Sequence, residues 1–184
     1  MSIEHALIEH CSPTLAGLKA GSLFSFLAPA SASLEKDIGA VNALLSKKGL
    51  TLQLVKPLPA RALCYLYRAA HLERMLDDPE NAAFLRSQGY ESLDVQGALS
   101  TLCTRLCVRE EFPHEIGLFL GYPLGDVVGF MEHKGKNCLC CGCWKAYTDA
   151  CSAKRQFDRF NKCTCVYRRL YGEGRPLTKL AVPS

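Results

Sequence analysis

Leu34, Ile38, Val41, Leu44 and Leu45 recur at the three- and four-residue spacing that puts apolar side chains on one face of a helix. Lys47-Lys48-Gly49 follows with the cations and the glycine that end one, so the pattern predicts a helix closing at that point. Upstream, residues 2–30 read as helical with a break. Ser12-Pro13-Thr14 has the form of a helix start, with Ser12 as N-cap and Pro13 in the first helical position. Downstream, the apolar runs 51–56 and 61–68 flank Pro57-Leu58-Pro59-Ala60 and predict an antiparallel strand pair. The two prolines keep the connection out of the paired region.

The remaining pattern is mostly helical. Residues 69–77 read as a short helix, and Asp78-Pro79-Glu80 caps another that Gly89 closes. Val95, Leu99, Leu102 and Leu106 form a stripe on a helix begun at Asp94, with Cys103 and Cys107 beside it as expected core thiols. Pro113 opens a helix that ends at Gly121. Pro123 opens the next, with Leu124, Val127, Val128 and Met131 on one side and Gly135 as its stop. Residues 142–148 suit a strand. Thr148 or Asp149 then caps a last helix with Ala153, Phe157, Phe160 and Tyr167 inward and Lys154, Arg155, Arg159, Lys162 and Arg169 toward solvent. The expected architecture is a helix-rich α+β single domain over residues 1–172 with a small, mostly antiparallel sheet. Residues 173–184 are expected as an extended tail.

Composition narrows the class. At 184 residues, with 48% hydrophobic and 22% charged, the chain is long and apolar enough for one well-buried core, which excludes a disordered or low-complexity protein. The most apolar stretch, 15–32, is interrupted by Lys19, Ser22, Ser25 and Pro29, so no membrane span is expected. Glu4 and Glu9 precede it where an export signal carries cations, and the expected location is the cytoplasm. Charge is uneven. Residues 131–184 carry 11 Lys/Arg against 4 Asp/Glu, net +7, and residues 1–130 carry net −3. A basic C-terminal third suits nucleic acid, a phosphate-bearing ligand or an acidic partner protein, or is simply a solvated helix face.

Eleven cysteines in such a compartment are free thiols, metal ligands or reactive groups rather than bridges. Seven fall between positions 138 and 165. Cys138/Cys141 and Cys140/Cys143 have the two-residue gap of thiolate metal sites, and Cys163 and Cys165 follow at an interval close to that of zinc ribbons. These six are the candidate ligands for Zn or an Fe–S cluster, the alternative being a loop of accessible thiols. A helix starting near Asp149 would carry Cys163 about 20 Å along its axis, so closure of the set is not implied.

Cys11 is a second candidate. Directly before the expected helix start at Ser12, its thiolate would be stabilised by free amides, which also suit a phosphate or carboxylate held with Ser12, Thr14 and Lys19. His114, in a first helical turn after Pro113, is the matching base, with Glu115 to orient it. A small buried cysteine at a helix entry is the other reading of the same residue. Trp144 beside Lys145 suits either stacking on a planar ligand or the core side of a strand.

Three segments carry a resemblance. Residues 11–19 (CSPTLAGLK), 112–123 (FPHEIGLFLGYP), and Gly135-Lys136-Asn137 with Gly142-Cys143-Trp144-Lys145 resemble a bacterial family found largely in anaerobes, domain-of-unknown-function family three-seven-nine-three. The resemblance covers nearly the whole chain and implies a cytosolic protein, without an activity. In the family pattern the stretch between Asn137 and Trp144 is not a run of cysteines. On that resemblance 138–143 is a local elaboration, and a shared function rests on Cys11, Lys19, His114, Glu115, Asn137, Trp144 and Lys145. The expected function is binding of a small anionic or redox ligand in a pocket formed by the Cys11 turn and the His114 helix start. Its thiol-dependent version has Asn137 or Lys145 as polarising groups. The alternative is a metal-thiolate module whose basic face meets nucleic acid or an acidic redox partner.

Overall fold

The computed structural model describes residues 2–27, 32–108 and 111–183. Residues 28–31, at the end of the first expected helical segment, and Ser184 of the expected tail lie outside them.

Helix α1 (Ile3–Leu15) starts at Ser2, whose hydroxyl accepts the His5 amide. It ends where Gly17 takes φ +74°. There the Leu18 amide donates to the Pro13 carbonyl (2.8 Å) and the Gly17 amide to that of Thr14 (3.1 Å), the bond pair of a glycine helix stop. Ser12 and Pro13 therefore sit in the last turn of α1 instead of opening a helix, which corrects the expectation. The amide that Pro13 lacks removes one helical bond near the end of the helix. Burial of Cys11, Ser12, Pro13, Thr14 and Leu15 offsets it. The segment beyond, also expected to be helical, is strand β1 (Gly21–Phe26), in which Ser22, Phe24 and Phe26 alternate inward.

Helix α2 (Ala32–Leu45) and a following single turn of tighter helix (Ser46–Lys48) stop at Gly49, φ +72°, where the sequence places the end. Leu44 departs from its stripe and is exposed. Strands β2 (Leu50–Pro57) and β3 (Ala62–Arg68) form the expected antiparallel pair, with a register shift between Leu54 and Lys56. The sheet order is β1-β3-β2, all antiparallel. One face packs Phe24, Leu50, Leu52, Cys64 and Leu66 with α1, α2 and the C-terminal residues. The other packs Val55, Tyr65 and Tyr67 with the helices that follow. Covered on both faces, β3 is an almost unbroken apolar run.

Helices α3 (Ala69–Asp77), α4 (Pro79–Ser87) and α5 (Val95–Val108) follow as the pattern predicts, and Asp78 caps α4 by accepting the amides of Glu80 and Asn81. Cys103 is half-buried, but Cys107, expected in the core, is exposed, with its thiol directed to the Val55 carbonyl (3.4 Å). The Pro113 helix is reduced to α6 (Ile116–Phe119), followed by α7 (Leu124–Glu132). The expected strand over 142–148 narrows to β5 (Lys145–Ala146), paired with β4 (Cys140–Cys141) in a small hairpin. Asp149 caps the long α8 (Ala150–Gly172).

Residues 173–183 are not an extended tail. A short helix, α9 (Leu177–Leu180), buries Leu177, Leu180 and Ala181 in the same core as α1. The Tyr167 hydroxyl donates to the Leu180 carbonyl (2.8 Å), and the Val182 amide donates to that of Leu15 (2.9 Å). Leucines at 177 and 180 lie one helical turn apart, enough to anchor a segment too short to read as a helix on periodicity. No helix among the described residues is long and apolar enough to cross a membrane.

Candidate functional site

A third apolar cluster positions the site. Trp144, in the turn that joins β4 to β5, packs edge-on against Phe157 of α8 (ring centroids 4.6 Å) and stacks on Tyr122 (5.0 Å). The hairpin lies so close to α8 that a Cβ on Gly142 would overlap the Phe157 ring. From the other side Asp126, in the first turn of α7, fixes the hairpin. Its Oδ2 accepts the Trp144 indole N–H (2.7 Å). Its Oδ1 accepts the amides of Tyr147 (2.8 Å) and Thr148 (2.9 Å) and the Thr148 hydroxyl (2.8 Å). Burial pushes this carboxyl up, but the four donors outweigh it and hold the pKa below the ordinary carboxylate value.

Between α6, α7 and the hairpin lies a cavity of about 340 Å³. Ile116, Gly117, Leu120 and Val127 line it from α6 and α7, and Phe112, Tyr122, Phe130 and Trp144 supply aromatic walls. Its polar groups are His114, Lys145, Cys141 and the already saturated Asp126. The exposed His114 ring packs against Phe130 (4.9 Å). The Lys145 ammonium donates to the Gly135 carbonyl (2.7 Å) and sits 6.0 Å from the Phe130 ring centre. Gly135 can present that carbonyl because it takes φ +72° after α7.

Two of the three recognisable sequence segments thus meet here: His114 with Tyr122, and Gly142 with Trp144 and Lys145. The first does not line the cavity. Cys11 is fully buried among the side chains between α1 and the sheet, near the helix's C-terminal end, where the dipole disfavours an anion. Burial raises its thiol pKa far above the ordinary value, against smaller opposing effects of Lys19 and the Ser22 hydroxyl. A nucleophilic Cys11 paired with His114 is therefore withdrawn. Ser12 and Thr14 are buried too. The Ser12 hydroxyl donates to the Ile8 carbonyl, and the Thr14 hydroxyl pairs with that of Ser22 (2.8 Å), so neither is turned to a ligand. Lys19 lies over the Tyr122 ring (5.3 Å), and burial lowers its pKa.

Glu115 does not orient His114. It is buried, accepts from Arg105 (2.7 Å) and from the Tyr90 hydroxyl (3.3 Å), and ties α5 to the turn before α6. Asn137 is exposed with φ +57° and serves the turn into the hairpin. The six-thiol set is not assembled. Among the described residues no group of three or more His, Cys, Asp or Glu side chains stands close enough to hold a metal ion. Cys140 and Cys141 are consecutive on a strand and project to opposite faces. Cys140 points to the Ala150 carbonyl (3.8 Å), and Cys141 lines the cavity. Cys138 is half-buried and Cys143 exposed. Cys163 is carried along the unbroken α8 to the α1 core, where burial pushes its thiol to about 11, and Cys165 faces solvent.

Asp126 and the cavity face of Cys141 escaped the sequence reading. The available signal was an acid inside the otherwise apolar run Leu124-Gly125-Asp126-Val127-Val128. A family model described as "Protein of unknown function (DUF3793)" matches residues 7–181. No curated protein and no solved structure matches the chain.

Proposed function

The chain belongs to the DUF3793 family, and from that premise we propose that it binds a small, flat, largely apolar molecule carrying one anionic group in the cavity beside His114. The observation that carries this reading is the lining itself. Four aromatic side chains surround a space at the lower end of the roughly 300–1,000 Å³ range of small-molecule sites. The acid among its lining residues, Asp126, is occupied by four donors. Lys145 gives one of its three N–H bonds to Gly135 and has others for a carboxylate or phosphate. Cys11 is outside this pocket, so the reading needs no nucleophile there. Eleven free thiols suit the reducing cytoplasm.

The single Trp of the chain makes the test direct. Titration with benzoate is expected to move the lone indole cross-peak of Trp144 in a proton–nitrogen spectrum, with benzamide binding more weakly. Lys145→Met is expected to cost benzoate about tenfold in affinity and benzamide little. An indole signal unmoved by either compound at millimolar concentration would defeat the reading.

A second reading concerns α8. Lys154, Arg155, Arg159 and Lys162 are all exposed on it, and none of them makes an ion pair among the described residues. The residues between them on that helix offer no exposed aromatic ring for a base to stack on, which favours an acidic protein surface over single-stranded nucleic acid. Charge reversal at Arg155 and Arg159 is expected to abolish salt-sensitive retention on an acidic polypeptide column and to leave the benzoate titration unchanged. Equal retention of the variant would remove this reading.

A further inference from the structure

The cavity also holds a thiol that the ligand-binding reading leaves unused. Cys141 is exposed, lines the space with His114 and Trp144, and is the direct cross-strand partner of Lys145. Direct partners on an antiparallel ladder project to the same face with Cβ atoms about 4.5–5.5 Å apart. Lys145 and Cys141 therefore project to the same side of the hairpin, and both line the cavity. We infer that Cys141 is the reactive thiol of this pocket and exchanges with small aromatic disulfides that bear an anionic group. The inference rests on the pocket reading above and adds to it the chemical class of the ligand.

The step is simple and balanced. The Cys141 thiol loses its proton to the solvent that reaches it, leaving a thiolate on the side of the hairpin that carries Lys145. The sulfur attacks one sulfur of the bound disulfide. A new S–S bond forms to Cys141, the ligand's own S–S bond breaks, and the departing aryl thiolate takes the electron pair. The protein thiol is oxidised to a mixed disulfide and one half of the ligand is reduced, with no further oxidant. The aromatic walls hold the retained aryl group, and Lys145 holds its anionic substituent.

Other thiols of the chain provide internal controls. Cys151 and Cys165 are exposed on α8 and are not among the residues that line this cavity. The full-length, fully reduced protein is treated with a dianionic reagent, dithiobis-nitrobenzoate, and separately with neutral dithiodipyridine. Modification of each cysteine is followed by peptide mass mapping. Cys141 is expected to react about tenfold or more faster than Cys151 with the dianion, and by a smaller margin with the neutral reagent. Lys145→Met is expected to erase the charge preference and Lys145→Arg to keep it, while saturating benzoate slows Cys141 and leaves Cys151 unaffected. Equal rates at Cys141 and Cys151 in the unaltered protein overturn the inference. If benzoate still moves the Trp144 indole signal in that case, the pocket reading stands and only the thiol chemistry falls. If Cys141 is fast but benzoate neither protects it nor moves the indole, the pocket reading falls with its ligand class.

Discussion

Replacing Arg68 with Met is expected to destabilise the protein by about 3–5 kcal/mol, measured by urea unfolding under reducing conditions. Arg68 ends β3 and is fully buried. Its guanidinium donates from Nε to the Thr14 carbonyl (2.7 Å), and from Nη2 to those of Leu15 (2.8 Å) and Val182 (2.8 Å). Two of these acceptors close α1, where the helix dipole concentrates negative charge and the last carbonyls lack helical partners. The third belongs to the C-terminal segment. One side chain thus joins the end of the first helix, the central strand and the segment after α9. Met fills much of the volume but withdraws the charged donors from these carbonyls, leaving Thr14 only the Gly17 amide and Leu15 only the Val182 amide among the described residues, and hydrogen bonds to a charged group contribute about 1.5–3 kcal/mol each. Arg68→Lys is expected to recover less than half of the loss, because a single ammonium on a shorter stem cannot reproduce a planar fork that serves these acceptors and also reaches the Lys48 carbonyl (3.5 Å). A Lys variant as stable as the native protein would show that charge alone, rather than the fork, closes α1.

Arg68 also marks where the sequence stopped being readable. Elements whose ends are set by local chemistry were legible: Lys47-Lys48-Gly49 after α2, Asp78-Pro79 before α4, Asp149 before α8, and the proline-bearing turn between β2 and β3. The failures came where distant groups decide. Residues 21–26 are short and apolar, and only pairing with β3 makes them a strand. Gly17 ends α1 at φ +74°, whereas Ser12-Pro13 in isolation resembles a helix start. Leu177 and Leu180 fold inward because α1, Tyr167 and Arg68 present them with a site. The candidate site divides in the same way. His114, Trp144 and Lys145 were singled out in the sequence and line the cavity. Cys11 was singled out for a helix start that is not there. Asp126 was missed because its value lies in four donors, three of them on residues more than twenty positions away. Spacing among cysteines says which thiols are near in sequence. A strand turns neighbours to opposite faces, so 140 and 141 part company.

Asp126→Ala is expected to cost about 3 kcal/mol or more and to dismantle the cavity before it unfolds the core. The substitution leaves the indole N–H of Trp144 and the amides of Tyr147 and Thr148 without their acceptor. The β4–β5 hairpin has only two residues in each strand, so its own ladder cannot hold it in place. Trp144, Lys145 and Cys141 all depend on that hairpin, and benzoate binding is expected to disappear in the variant while core methyl resonances stay dispersed. The indole proton is expected to exchange with solvent much faster than in the native protein. Asp126→Asn keeps one acceptor oxygen but turns an N–H₂ toward donors, so it should fall between the two. The pH dependence has a definite sign. Because the carboxyl titrates below its ordinary value in the folded protein, its contribution is complete above about pH 4 and is lost as pH falls through the lowered folded value. Acid should therefore release the Trp144 indole signal in the native protein, and Asp126→Asn should be insensitive to pH over that window. An alanine variant that binds benzoate normally and protects its indole proton would show that α8 packing through Phe157, rather than the α7 carboxylate, builds the site.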